Sequence, residues 1–388
     1  MLTEFEVTNF RSVKHIYMKM RPITVIVGPN GSGKSNLYRA LKLLQEAARG
    51  RLADAIATEN GIASAIFSGY RGDKKNNRIK LAVTTENYRY GINFGRIPLG
   101  ARYDESFFRD DLDIKSESLE FQTRQKTFKK LLTRRRSSIE AVDNNGVRSD
   151  YTTTVPTNAS VLGGLGDPLR YPGLHRFKME VLRWRFYESF RTDKESPLRL
   201  PQPGVFSGAL DATGSNLAAT IASIVTADDS GDFENAMDEA FPGTTLSIKA
   251  SRQGLKLAVN YPGMARSLEA PELSDGTLQY IALLTALHAL DPPPLLAINE
   301  PETSIHDDLM EPLAKAIVRA SENSQIWVTT HSKLLSDYIL DYGGYDELTL
   351  EKTDGETRVV GLGIDGRIIE DQDDEEDEED EEDEDLNL

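Results

Sequence analysis

The chain has 388 residues, with 62 acidic against 45 basic side chains, a formal net charge of −17 and no cysteine. Without cysteine there is no disulfide, thiolate metal site or cysteine nucleophile, and no apolar run approaches the ~18–20 residues that span a bilayer. The negative charge is local: from Glu370 to Asp385, 15 of 16 residues are Asp or Glu. The body is therefore near neutral, and the acidic block, unable to bury apolar surface, is expected to be disordered.

Thr3 to Phe10 alternates as a strand, not as a signal peptide, and Ile16 to Met20 reads as a second. Ile23-Thr24-Val25-Ile26-Val27 is a third strand. Gly28-Pro29-Asn30-Gly31-Ser32-Gly33-Lys34-Ser35 follows it, and then a helical pattern with Leu37, Leu41 and Leu44 on one face. Strand, glycine-rich loop and helix in that order are the context of a phosphate-binding P-loop. The glycines let the backbone wrap so that its N–H groups point inward at phosphate oxygens, and the helix adds the positive end of its dipole. Lys34 is expected to reach the β- and γ-phosphates of a nucleoside triphosphate and Ser35 to take one Mg²⁺ position. Asn30, Gly31, Gly33 and Asn36 complete the candidate nucleotide site.

Residues 79–95 read as an antiparallel pair turning at Glu86-Asn87. Lys115 to Arg135 mixes strand and helix signals, and Val142 to Gly166, rich in Gly, Asn, Ser and Thr, reads as loop. Gly214-Ser215-Asn216-Leu217-Ala218 opens a helix to about Val225, and Leu246 to Val259 gives two short strands around Gln253-Gly254. Leu273-Ser274-Asp275-Gly276-Thr277 then precedes an apolar helix, Leu278 to Leu290, and Pro292-Pro293-Pro294 stops the chain. Leu295-Leu296-Ala297-Ile298 has the continuous apolarity of a buried parallel strand and runs into Asn299-Glu300-Pro301-Glu302. A helix from about Asp308 to Ala320 leads to a second such strand, Gln325 to Thr330, ending at His331-Ser332. A hairpin from Glu347 to Leu362 turns at Asp354-Gly355.

Glu300 stands just past the C-terminal end of its strand, where open α/β sheets bind ligands, and is the candidate general base. Ser274 and Gly276, at the start of the apolar helix, form a second candidate anion site.

Taken together, Asn9-Phe10-Arg11-Ser12, Gly28–Ser35, Gly214–Ala218, Leu273–Thr277, Leu296–Glu302 and Thr330-His331-Ser332 resemble the motifs of an ABC-type ATPase of the RecF, SMC and OLD-like group. The likeness is greatest to the stand-alone prokaryotic AAA-family ATPases that lack a fused nuclease. The resemblance implies an α/β, P-loop NTPase fold: an ABC-ATPase head with a mixed β-sheet lobe and a helical or insertion lobe. That bilobed head would cover residues 1–368, with about 100–210 as the insertion region and 369–388 as a disordered acidic tail. It also implies a head-to-tail homodimer enclosing two ATP molecules with Mg²⁺. Asn299 stands at the metal position where the group usually has an acidic residue; an amide accepts from a metal-bound water but carries no charge, so weaker Mg²⁺ binding and slow turnover are expected. Glu300 and the P-loop of one subunit would face Ser274 and Gly276 of the other, with His331 at the γ-phosphate and Arg11 near the nucleotide. The glutamine that links metal to the flexible lobe in this group stays open between Gln122, Gln125 and Gln202.

The stretch after Ser332 is too short for the acidic-cluster nuclease of OLD-type chains, so an effector, nuclease or toxin, is expected as a separate protein; the chain itself is expected in the cytoplasm, with no membrane partner. Basic stretches at 124–136 and 170–199 could contact DNA, the second interleaving arginines with Tyr171, Phe177, Trp184, Phe186 and Tyr187 for base stacking. Three roles follow: an ATP-gated switch for an effector in phage defence or a toxin–antitoxin-like system, a RecF-like DNA clamp, and a slow-turnover ATP-binding scaffold.

Overall fold

The computed structural model describes residues 1–69, 78–97, 110–151, 155–165, 167–227 and 230–363; the acidic block at 369–388 lies outside them. An antiparallel sheet of eight strands runs in the order Val13–Lys19, Leu2–Phe10, Arg78–Thr85, Tyr88–Arg96, Leu112–Gln122, Phe128–Arg135, Ser138–Val142, Arg148–Asp150. The pair read at 79–95 is its centre, with Thr84 opposite Arg89 across the turn.

The stretch with mixed signals, Lys115 to Arg135, proves to be two antiparallel strands joined by a turn at 123–127. Its alternation is hidden for two reasons. The register shifts between Asn93 and Phe94 on the partner strand, and two charged residues, Glu117 and Arg134, point inward, each about 1% exposed. Both are fully engaged, as buried charges must be. Glu117 accepts from Tyr90 Oη (2.9 Å), Ser160 Oγ (2.7 Å) and the Val161 and Leu162 amides (2.8 and 3.1 Å). Arg134 donates to the carbonyls of Arg136, Pro156, Thr157 and Ala159. The expected boundary near 100 lies outside the described residues. Residues 112–150 extend this sheet, and Pro172–Leu182 forms a helix whose Leu174, Phe177 and Val181 join the same core.

A second sheet of six strands has the order Arg185–Tyr187, Leu295–Asn299, Gln325–Thr330, Ile23–Val27, Glu347–Thr353, Glu356–Val359. The first five are parallel and the last closes an antiparallel hairpin. Because strand side chains alternate in direction, a continuously apolar strand feeds two cores. Ile26, Leu295, Ala297 and Trp327 face the helix Lys34–Arg49 and, beyond it, the eight-stranded sheet, where Phe5 meets Trp327 edge-on at 5.8 Å. Ile23, Val25, Leu296, Ile298, Ile326 and Val328 face the helices Asp275–Leu287, Met310–Ala320 and Lys333–Gly343. The helix Lys34–Arg49 is thus packed between two sheets, which is why Tyr38 and Leu43 are buried along with Leu37, Leu41 and Leu44. A small antiparallel sheet, Thr245–Ser251, Gly254–Asn260 and Leu268–Glu269, borders the second core.

The 170–199 stretch offers no stacking surface, contrary to expectation. Tyr171, Phe177, Trp184, Phe186 and Tyr187 are all core residues, and their spacing reflects an element whose apolar side is turned inward. Several of its arginines are also committed: Arg183 pairs with Asp291 (2.6 Å) and Arg191 with Asp193 (2.9 Å), while Arg199 is buried.

Candidate active site

Parallel strands send their C-terminal ends to one edge of a sheet, and here that edge collects the predicted motifs. The register pairs Val27 with Thr330 and Asn299 with Thr329. The P-loop, Glu300 and His331 therefore leave the sheet side by side.

Gly28 and Gly33 have φ of 153° and 113°, a region closed to most side chains, and both are pressed from behind by the C-terminal hairpin. A Cβ on Gly28 would lie 2.6 Å from the Leu350 carbonyl oxygen, and one on Gly33 would fall inside the Thr357 side chain. Thr357 is about 1% exposed; its Oγ1 donates to the Ser32 carbonyl (2.7 Å) and lies 2.7 Å from Ser12 Oγ. Asn36 Nδ2 in turn donates to Ser12 Oγ (2.7 Å). The predicted Asn36 thus braces the loop through the Asn9–Ser12 turn and the hairpin.

Asn30 and Gly31 form the exposed crown of the loop. Lys34 is buried, with Nζ donating to the carbonyls of Gly28 (2.6 Å) and Pro29 (3.3 Å). Ser35 is next on the helix, and the buried Ser32 Oγ has no hydrogen-bond partner among the described residues. A backbone cradle that tolerates no Cβ, an enclosed ammonium and an uncommitted hydroxyl are a donor set fitted to a polyphosphate and its Mg²⁺.

Glu300 adopts φ of 50°, a left-handed turn that costs a non-glycine residue about 1–2 kcal/mol. Its amide bonds to the Thr329 carbonyl at 2.7 Å, and the turn folds the next carboxylate, Glu302, back beneath the neighbouring strand end. Asn299 Oδ1 accepts from Thr329 Oγ1 (2.7 Å), which fixes its amide. His331 lies between two carboxylates, with Nδ1 3.0 Å from Glu302 Oε1 and 4.0 Å from Glu300 Oε1.

Ser274 caps the helix Asp275–Leu287, accepting from the Thr277 amide at 3.1 Å. A Cβ on Gly276 would clash with the Ser304 carbonyl oxygen, so the start of the helix Asp275–Leu287 abuts the loop that follows Glu300. Arg199, not singled out in the sequence, secures this end: its guanidinium donates to Ala270 O (2.7 Å), Leu273 O (2.9 Å) and Asp275 Oδ1 (2.7 Å). Gln202, an open candidate for the metal-linking glutamine, is committed elsewhere. Its amide spans Pro197 O, Gly214 O and the Ala218 N–H, and it is about 2% exposed. Arg11 forms an ion pair with Glu59, which Arg39 also approaches at 3.5 Å; burial, and then Arg39, lower the pKa of Arg11.

Residues 23–337 match the sequence family described as "AAA domain, putative AbiEii toxin, Type IV TA system". The chain belongs to this AAA family. The match runs from the first residue of the P-loop strand into the helix after His331. A 44-residue segment is 46% identical to an OLD nuclease of Thermus scotoductus (strain ATCC 700910 / SA-01), covering 11% of this chain and 8% of that protein. The chain therefore spans less than a tenth of that relative's length.

The fold is similar to a solved SMC head bound to the C-winged helix domain of ScpA, with a TM-score of 0.54 and 15% identity over 94% of this chain and 98% of that one. An SMC head domain from Thermotoga maritima covers the same share of this chain at a TM-score of 0.45 and 15% identity, with 99% of that chain matched. This AAA-family chain thus shares the fold of an SMC head. Among the described residues no helix is long and apolar enough to cross a membrane.

Proposed function

We propose that the protein, in the cytoplasm, binds and hydrolyses ATP with Mg²⁺, and that ATP joins two copies head to tail as a switch for a separate effector, a nuclease or toxin. The observation that carries this reading is the shared sheet edge, where the register of Val27, Asn299 and Thr330 brings the P-loop, Glu300 and His331 together. In this reading the P-loop amides and Lys34 hold the phosphates, Ser35 and Asn299 hold the metal, and Glu300 takes the proton of the attacking water. Bound Mg²⁺ would neutralise charge that develops on the phosphoryl oxygens. Ser274 and Gly276 of a second copy would complete the γ-phosphate site, so that ATP bridges the subunits better than ADP. A role in phage defence or a toxin–antitoxin-like system is supported by the family description and by the OLD-nuclease segment. Phosphate release by wild type, with loss in Lys34→Ala and in Glu300→Gln, tests the reading; equal release from all three refutes it.

A DNA-clamping reading has one observation in its favour. Arg124, Lys126, Lys129 and Lys130, about the turn before the strand Phe128–Arg135, and Arg135 and Arg136, at that strand's other end, are exposed with no ion pair among the described residues. Duplex binding that needs ATP and weakens steeply with salt would support it. The third reading, an ATP-binding scaffold, rests on Asn299, and turnover unchanged by Glu300→Gln would favour it.

A further inference from the structure

Glu302 is an ordinary strand-end carboxylate by sequence, yet it is about 7% exposed. Its Oε1 accepts from Thr330 Oγ1 (2.7 Å), the His331 amide (2.8 Å) and the Ser332 amide (3.2 Å). The same oxygen lies 3.0 Å from His331 Nδ1, and its twin, Oε2, is buried without a hydrogen-bond partner. One oxygen atom therefore gathers the hydroxyl, two amides and the imidazole of Thr330-His331-Ser332. The left-handed Glu300 delivers it there, because that turn sends the chain through Pro301 and back under the strand end.

We infer that Glu302 is the positioning residue that fixes His331 beside Glu300 and thereby sets discrimination between ATP and ADP. The inference rests on the ATPase reading above. A carboxylate oxygen 3.0 Å from Nδ1 favours a hydrogen on that nitrogen, which leaves Nε2 to face the phosphate side. The two amide bonds fix the backbone from which the ring projects, so the ring's placement is inherited from Glu302 and not from its own half-exposed surroundings. The competing account is that Glu302 only steadies the start of the helix Lys333–Gly343. That account lowers stability when Glu302 is removed but gives no reason for the two nucleotides to be affected differently.

The test measures binding of a non-hydrolysable ATP analogue and of ADP, both with Mg²⁺, to wild type, Glu302→Ala, Glu302→Gln, His331→Ala and the Glu302→Ala/His331→Ala double variant. Loss of one hydrogen bond to a charged group weakens binding roughly ten- to a hundredfold. The preference for the ATP analogue should fall by about that factor in Glu302→Ala and in His331→Ala, with ADP affinity kept. Glu302→Gln keeps an acceptor oxygen and should retain most of the preference. The double variant should lose no more than His331→Ala alone, because the two residues act as one unit. Additive losses, or a preference that survives in Glu302→Ala, overturn the inference. So does a Glu302→Gln variant that folds normally yet discriminates as poorly as Glu302→Ala. Wild-type protein that does not discriminate would overturn the ATPase reading itself, a different failure.

Discussion

Replacing Thr357 by valine removes one hydroxyl from a side chain that contacts no nucleotide residue except through the loop it supports. Thr357 Oγ1 donates to the Ser32 carbonyl and shares a hydrogen with Ser12 Oγ, both at 2.7 Å, in a site about 1% exposed. Valine fills nearly the same volume, so the effect is that of two lost hydrogen bonds, with the Ser32 carbonyl left buried and unpaired. At about 1 kcal/mol for a bond lost and up to about 3 kcal/mol for a group stranded, we expect the variant to be less stable by about 2–3 kcal/mol. Urea denaturation followed by circular dichroism measures this directly. The same loss frees the back of the P-loop, and part of the nucleotide affinity should go with it: 1.4 kcal/mol of lost bracing is about tenfold. Thr357→Ser keeps the hydroxyl and should keep the affinity. A valine variant within about 0.5 kcal/mol of wild type, binding nucleotide as wild type does, would falsify the view that the hairpin braces the P-loop.

Three further outcomes follow from other parts of the molecule. Glu117→Ala removes the acceptor for Tyr90, Ser160 and two helix amides and should cost about 3–5 kcal/mol in denaturation, as for other buried networks that lose a charged member. Gly276→Ala drives a methyl into the Ser304 carbonyl. It should impair ATP-dependent association in sedimentation while ATP binding by the single chain persists, and unaltered association would contradict that packing argument. Burial holds the Glu180 carboxyl above its ordinary pKa. A carboxyl raised in the folded state contributes its stability below the unfolded value, about 4.3, and loses it as pH rises through the folded value. Glu180→Gln should therefore raise the urea midpoint at pH 8 and leave it unchanged at pH 4; a gain of the same size at both would refute the assignment.

The P-loop and the strand before Glu300 were legible because their signals are local: an apolar run, then residues whose chemistry has few alternative uses. Lys34 and Glu300 stand where those signals place them. What the sequence concealed depends on contacts between distant segments. Thr357 and Ser32 are 325 positions apart, and no pattern near either one announces the contact. Glu302 looked unremarkable because its burial comes from the folding of Thr330–Ser332 over it. The strands of Lys115–Arg135 were obscured by inward charges and a register shift, since the alternation rule presumes an apolar interior. In 170–199 the aromatic spacing was real, but basic residues between buried rings describe the surface of a core as readily as a stacking platform. The strand Arg185–Tyr187, three residues long, was too short to show any period.

The central claim is an ATP-dependent switch, and the most direct measurement is the molar mass of wild type and Glu300→Gln by light scattering with Mg²⁺-ATP, with Mg²⁺-ADP and without nucleotide. The account predicts a dimer that forms or tightens only with ATP and persists in Glu300→Gln. A mass that ignores nucleotide in both proteins would contradict it.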